Sequence, residues 1–91
     1  SNLVFLELIN KFDDIYYLDS IDFYIPSKNI AIVPIPFFNT FLTGNLVKRI
    51  IRNAQELNIN EINIISISNN EKISDSKLKI NVIPFYEWAL S

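Results

Sequence analysis

Residues 40–67 combine an amphipathic helix pattern, a short polar link and an apolar run, and few folds accommodate that succession. Leu42, Leu46, Val47, Ile50, Ile51, Ala54 and Leu57 form one stripe at helical spacing, with Lys48, Arg49, Arg52, Gln55 and Glu56 largely outside it. The link Asn58, Ile59, Asn60 leads into residues 61–68, where Ile62, Ile64, Ile65 and Ile67 read as a buried strand. Helix, short loop and buried strand make half of a crossover unit, so this strand is predicted to run parallel to an earlier one.

The earlier strands are legible upstream. Residues 3–12 are nearly all apolar, with Val4, Leu8 and Phe12 at helical spacing, which predicts a helix that is buried or lies in an interface. Asp13 and Asp14 break the pattern. Residues 15–18 and 21–25 predict two short strands around a turn near Asp19 and Ser20, with Ile21, Phe23 and Ile25 on one face and Asp22 outward. Pro26, Ser27, Lys28 and Asn29 supply turn chemistry. Residues 29–35 are apolar on both sides, as in a strand covered on both faces, until Pro34 and Pro36 end them. Further on, residues 68–77 read as a polar loop. Residues 78–82 alternate with Lys79 and Asn81 outward, as suits an edge strand, and residues 85–90 read as a short closing helix. The expected fold is one α/β domain over residues 1–91 with a mixed sheet. Its order is α-β-β-β-α-β-β, with helices packed on four to five strands.

Composition narrows the function. Hydrophobic residues make up 49% of the 91, charged residues 20% and aromatic residues 13%, a globular balance. There is no cysteine and no histidine, which removes disulfides, thiolate nucleophiles, imidazole bases and the usual transition-metal ligands. The net charge of −2 argues against a general polyanion binder, although charge is uneven along the chain. Residues 1–40 hold five acids against two bases, and the remainder holds six bases against five acids. No apolar run approaches the ~20 residues of a spanning helix. With no secretory pattern and no glycosylation sequon, an intracellular, cytoplasmic protein with no membrane partner is expected.

An initial helix, a three-strand meander containing Asp22, a long helix and a following strand resemble, over residues 3–67, the PD-(D/E)XK, restriction-endonuclease-like nuclease core. The resemblance implies an Asp from the second strand and a Glu/Asp-x-Lys from the third. The two acids would hold Mg²⁺ and the lysine would assist the attacking water. Asp22 occupies the first position. In the third strand Ile32 stands where the second acid is expected and Pro34 where the lysine is expected, and a one-residue shift offers only Ala31 and Val33. The resemblance therefore implies a degenerate copy.

The residues singled out are few. Asp22, with Glu7 as the only acid in the first helix pattern, is the candidate vestigial metal site, set against plain solvated surface. No catalytic residue, bound metal or cofactor is expected. Lys48, Arg49 and Arg52 share the exposed side of the long helix and are the candidate nucleic-acid contact, set against a solvated face. Gly44 is too isolated for a phosphate loop and reads as a close packing point or a helix start. The aromatics Phe37, Phe38, Phe41, Tyr86 and Trp88 are expected to be mostly buried, and the apolar excess points to a homo-oligomer or a protein partner. Two functions fit: a non-catalytic nuclease-like module serving assembly or nucleic-acid-linked partner binding, and a small acidic immunity- or antitoxin-type inhibitor that meets a basic protein through Asp13 to Asp22. An enzyme fits least, because no catalytic constellation can be assembled.

Overall fold

A strand apolar on both sides has to be covered on both, and that requirement organises the molecule. The computed structural model describes residues 2–39, 44–67, 71–73 and 78–91. The elements are α1 (Asn2–Lys11), β1 (Tyr16–Leu18), β2 (Asp22–Ile25), β3 (Ile30–Pro34), α2 (Gly44–Glu56), β4 (Glu61–Ser66), β5 (Glu71–Ile73), β6 (Lys79–Pro84) and α3 (Phe85–Leu90). They form a mixed sheet in the order β1-β2-β3-β4-β6-β5. The first three strands are an antiparallel meander, β4 runs parallel to β3, β6 parallel to β4, and β5 antiparallel on β6.

Alternation sorts the side chains of β3 and β4 into two cores. Ala31, Val33, Ile62 and Ile64 pack under Val47, Ile50 and Ala54 of α2. Ile32 and Ile65 face the other way, toward Val4 and Leu8 of α1 and Trp88 of α3. The parallel pairing continues past the prolines, where the Ile35 N–H donates to Ile65 O at 2.9 Å and the Ile67 N–H to Pro36 O at 2.8 Å.

Local chemistry sets the boundaries. Asn58, at φ 57°, ends α2: its N–H donates to Gln55 O at 3.1 Å and the Ile59 N–H to Ala54 O at 2.9 Å. That is a Schellman closure with Asn in the left-handed position, and buried Ile59 packs in the same core as Ala54. Asn29, also left-handed at φ 53°, accepts from the Tyr24 hydroxyl at 2.9 Å and donates to Asn58 O at 2.9 Å, tying the β2–β3 turn to the end of α2. Asp14 accepts from the Ser27 N–H at 2.5 Å and the Ser27 hydroxyl at 2.8 Å, which fastens the α1–β1 link to the same turn.

The α/β class, the element order, the parallel β3–β4 pair and the closing helix agree with the sequence reading. Other details differ. The strand over residues 78–82 is no edge: β6 lies between β4 and the short β5, which forms inside the expected polar loop. Lys79 and Asn81 do alternate with buried Ile80 and Val82, but alternation shows that one face is polar and is silent on whether a strand has two neighbours. Ile21 packs in the α2 core while Phe23 and Ile25 pack in the α1 core, because Asp22 between them has φ 64° and breaks the period of two. Gly44 opens α2 as described, and a Cβ there would meet nothing within 4 Å, so close packing is not its reason. Residues 40–43, 68–70 and 74–77, including the first turn expected for the long helix and most of the polar loop, lie outside the described residues. No helix among the described residues is long and apolar enough to cross a membrane.

Two measurements check this account. Leu8 is fully buried between α1 and the sheet, so Leu8→Ala is expected to lower the unfolding free energy by about 2–5 kcal/mol in urea titrations. The Ser27 hydrogen bonds hold the Asp14 carboxyl below its ordinary value of 3.8. A depressed carboxyl contributes stability above 3.8 that is lost as pH falls through the folded-state value. Asp14→Ala is therefore expected to lower the melting temperature at pH 7, with the difference shrinking steadily below pH 3.8.

Candidate functional site

The turn that follows β1 brings Asp19, Ser20 and Asp22 to the carboxyl end of β3, where they meet one flank of α2. Together they line a cleft of about 340 Å³, floored by Val33, Pro34 and Ile35 and walled by Arg49 and Asn53. In open α/β sheets, ligands favour this end of the parallel strands. Asn53 Nδ2 donates to Ser20 O at 3.1 Å and pins the turn against the helix. Asp22 holds a left-handed backbone, a conformation that Asp tolerates better than most residues and that recurs where a side chain has to be aimed.

Burial in this cleft pushes the Asp22 carboxyl above its ordinary value of 3.8. Arg49 lines the same cleft. The β3 residues beside Asp22 are apolar. Ile32 faces the α1 core, and Pro34 lies on the cleft floor with Val33.

Glu7 does not join this cleft. It sits on α1, whose buried residues Val4 and Leu8 pack on the opposite face of the sheet from α2, so β2 and β3 separate it from Asp22. No group of three or more potential metal-ligating side chains occurs among the described residues.

The other residues marked in the sequence are distributed as follows. Lys48, Arg49 and Arg52 are all exposed on α2, with Arg49 turned to the cleft rim. The acids from Asp13 to Asp22 split between the two ends of the β1–β2 hairpin. Asp14 is bound to the Ser27 turn at one end, and Asp19 and Asp22 line the cleft at the other. Phe38 and Trp88 are buried, Phe37 and Tyr86 are exposed, and Phe41 lies outside the described residues. Sequence reasoning missed Asn53 as a cleft residue; its signal is the i, i+4 spacing from Arg49 on the border of the apolar stripe. The chain matches no protein-family model, no curated protein and no solved structure.

What the cleft offers is one half-buried carboxylate on a left-handed backbone, with a second acid and an arginine nearby. Desolvation disfavours the charged form in the folded state only, so Asp22 is neutral in both states below pH 3.8 and costs stability as pH rises through its folded value. Asp22→Asn keeps a residue type that accepts left-handed backbone and removes the charge. The variant is expected to melt higher than the parent at pH 7 and to match it below pH 3.8. Calorimetric melts across that range check the sign.

Proposed function

We propose that this chain is a non-catalytic α/β module with a nuclease-like order of elements, and that it serves assembly by pairing with a second copy through the outer side of α1. The observation that carries the reading is the surface of that helix. Leu3, Phe5, Leu6 and Ile9, with Tyr17 of β1 beside them, are between 43% and 65% exposed. Phe5 stacks on Phe23 at 5.9 Å and Tyr17 meets the same ring edge-on at 5.8 Å, so the patch is continuous from helix to sheet. Tyr86 extends it beyond Leu3.

Exposed area decides between a chance patch and an interface. These side chains present roughly 600 Å², at the top of the range for the largest apolar patch on a monomer. That is most of the ~800 Å² that each partner of a standard interface contributes. A second copy fits best because the face is apolar, and apolar faces are typical of homodimers; a self-complementary helix face satisfies two-fold contact, and a charge of −2 per copy adds little repulsion.

Two features support the non-catalytic part, apolar Val33, Pro34 and Ile35 beside Asp22 and Glu7 across the sheet, while the order of helix, meander, helix and strand supports the nuclease-like part. Nucleic acid is a secondary partner at most. Three exposed cations on α2 neutralise at most about three phosphates, a salt slope near −2.7, and two acids stand beside one of them. The acidic-inhibitor reading loses its single patch, since Asp14 is engaged and the remaining acids lie at separate ends of the hairpin.

Sedimentation and a gel assay test the proposal together. The chain is expected to dimerise with rising concentration, and Leu6→Lys with Ile9→Lys to return it to a monomer with an unchanged fold. Labelled DNA and RNA are expected to stay intact with Mg²⁺ and to shift weakly at low salt, through Lys48, Arg49 and Arg52. A monomer at all concentrations overturns the assembly reading, and Mg²⁺-dependent cleavage abolished by Asp22→Ala overturns the non-catalytic one.

A further inference from the structure

The flank of α1 beside β1 carries large apolar side chains at helical spacing. Phe5, Ile9 and Phe12 follow one another at i, i+4 and i+7, and the Phe12 N–H donates to Leu8 O at 2.9 Å, which carries the helical turn past Lys11. Tyr17 of β1 stands directly opposite Phe23 of β2 in the antiparallel register, so these two side chains share one face of the sheet. With Asp13 of the link after α1, they line a cavity of about 490 Å³.

The rings form a corner rather than a flat patch. Phe23 is buried, while Phe5 and Tyr17 are exposed. Phe5 stacks on Phe23 at 5.9 Å with the planes 27° apart, and Tyr17 meets the same ring at 5.8 Å with the planes 71° apart. Two exposed rings set at a steep angle to each other therefore border the cavity. Aromatic faces are the negative side of the ring quadrupole, and the one charged group in the lining is the Asp13 carboxylate. Among the described residues that line the cavity there is no cation, so its electrostatic features all have one sign.

That combination selects a cation with a hydrocarbon surface. An anion meets Asp13, and a neutral apolar body gains nothing from it. A primary ammonium brings three N–H donors and a guanidinium five. Asp13 and the Tyr17 hydroxyl are the only side-chain acceptors in the lining, so most of those donors would leave water without a replacement. A trimethylammonium group carries a full charge, has no N–H and lays methyl groups against ring faces. The geometry points to a binding site for the trimethylammonium group of a small solute of the choline kind, its methyl groups on Phe5 and Tyr17 and Asp13 as its counter-charge. The volume lies within the roughly 300–1,000 Å³ of small-molecule sites. The site does not rest on the pairing proposal, because all of its rings belong to one chain. Phe5, Ile9 and Tyr17 serve both surfaces, however, so the solute and a second copy exclude each other.

Choline is the probe. Its carbon isostere dimethylbutanol, with tert-butyl in place of trimethylammonium, is the neutral control, and ethanolamine is the control without methyl groups. They are titrated into the parent and into a Leu3→Gln, Leu6→Gln chain, in which the pairing face is weakened at residues outside the cavity. The choline methyl proton signal is expected to move upfield, as protons held over ring faces do, and the amide signals of Phe5, Asp13 and Tyr17 to shift saturably below about 10 mM. Dimethylbutanol and ethanolamine are expected to bind about threefold more weakly or worse, and Tyr17→Leu and Asp13→Asn each to weaken choline by about the same factor. The Asp13→Asn effect is expected to fade with added salt. Should Tyr17→Leu not fold, Phe5→Leu and the neutral control decide. No saturable shift in either chain overturns the proposal, as does equal binding of dimethylbutanol or undiminished binding by a folded Tyr17→Leu chain. A parent that stays monomeric yet binds choline overturns the pairing and supports this site; a dimer whose Leu3→Gln, Leu6→Gln form ignores choline does the reverse.

Discussion

Everything else in this chain follows from the parallel pairing of β3 with β4. Both strands carry apolar side chains on both faces, so neither can lie at a surface, and the pair has to be covered from above and below. One cover is a 13-residue amphipathic helix that turns Val47, Ile50 and Ala54 inward and charges outward. The other is shared by α1 and α3, of 10 and 6 residues. The first cover is polar on its outer side, and the second is not. The apolar exterior of α1 is thus the remainder of a covering problem that α2 solves within its own sequence.

The organisation was legible wherever one residue type recurs with a single period. The stripe from Leu46 to Ala54 and the apolar strands on either side of it specify helix, crossover and parallel pair without further help. What escaped the pattern were features set by single backbone conformations or by distant pairing. Asp22 looks like an outward residue of an alternating strand, yet its left-handed φ sends Ile21 and Phe23 into different cores and half buries the carboxylate itself. β6 gained its second neighbour from β5, whose three residues carry no recognisable strand signal in a polar stretch. Asn63 was hidden among isoleucines, and only the register that sets it against Asn81 shows that its polarity has a counterpart.

The sheet also divides the chemistry of the molecule. The half-buried carboxylate and the exposed cations belong to the α2 side, and Asn63, Asn81, Lys11 and Trp88 belong to the α1 side. A strand is thin, but residues on its two faces cannot share a ligand. For that reason Glu7 and Asp22 cannot hold one ligand between them.

Both outer strands of the sheet, β1 and β5, are three residues long. A rim that short exposes few free backbone groups and gives an incoming chain little to zip onto. Lateral growth of the sheet into ribbons is discouraged at both ends. Strand addition at an open rim has no built-in stop. The short borders therefore act against open-ended stacking of sheet on sheet edge.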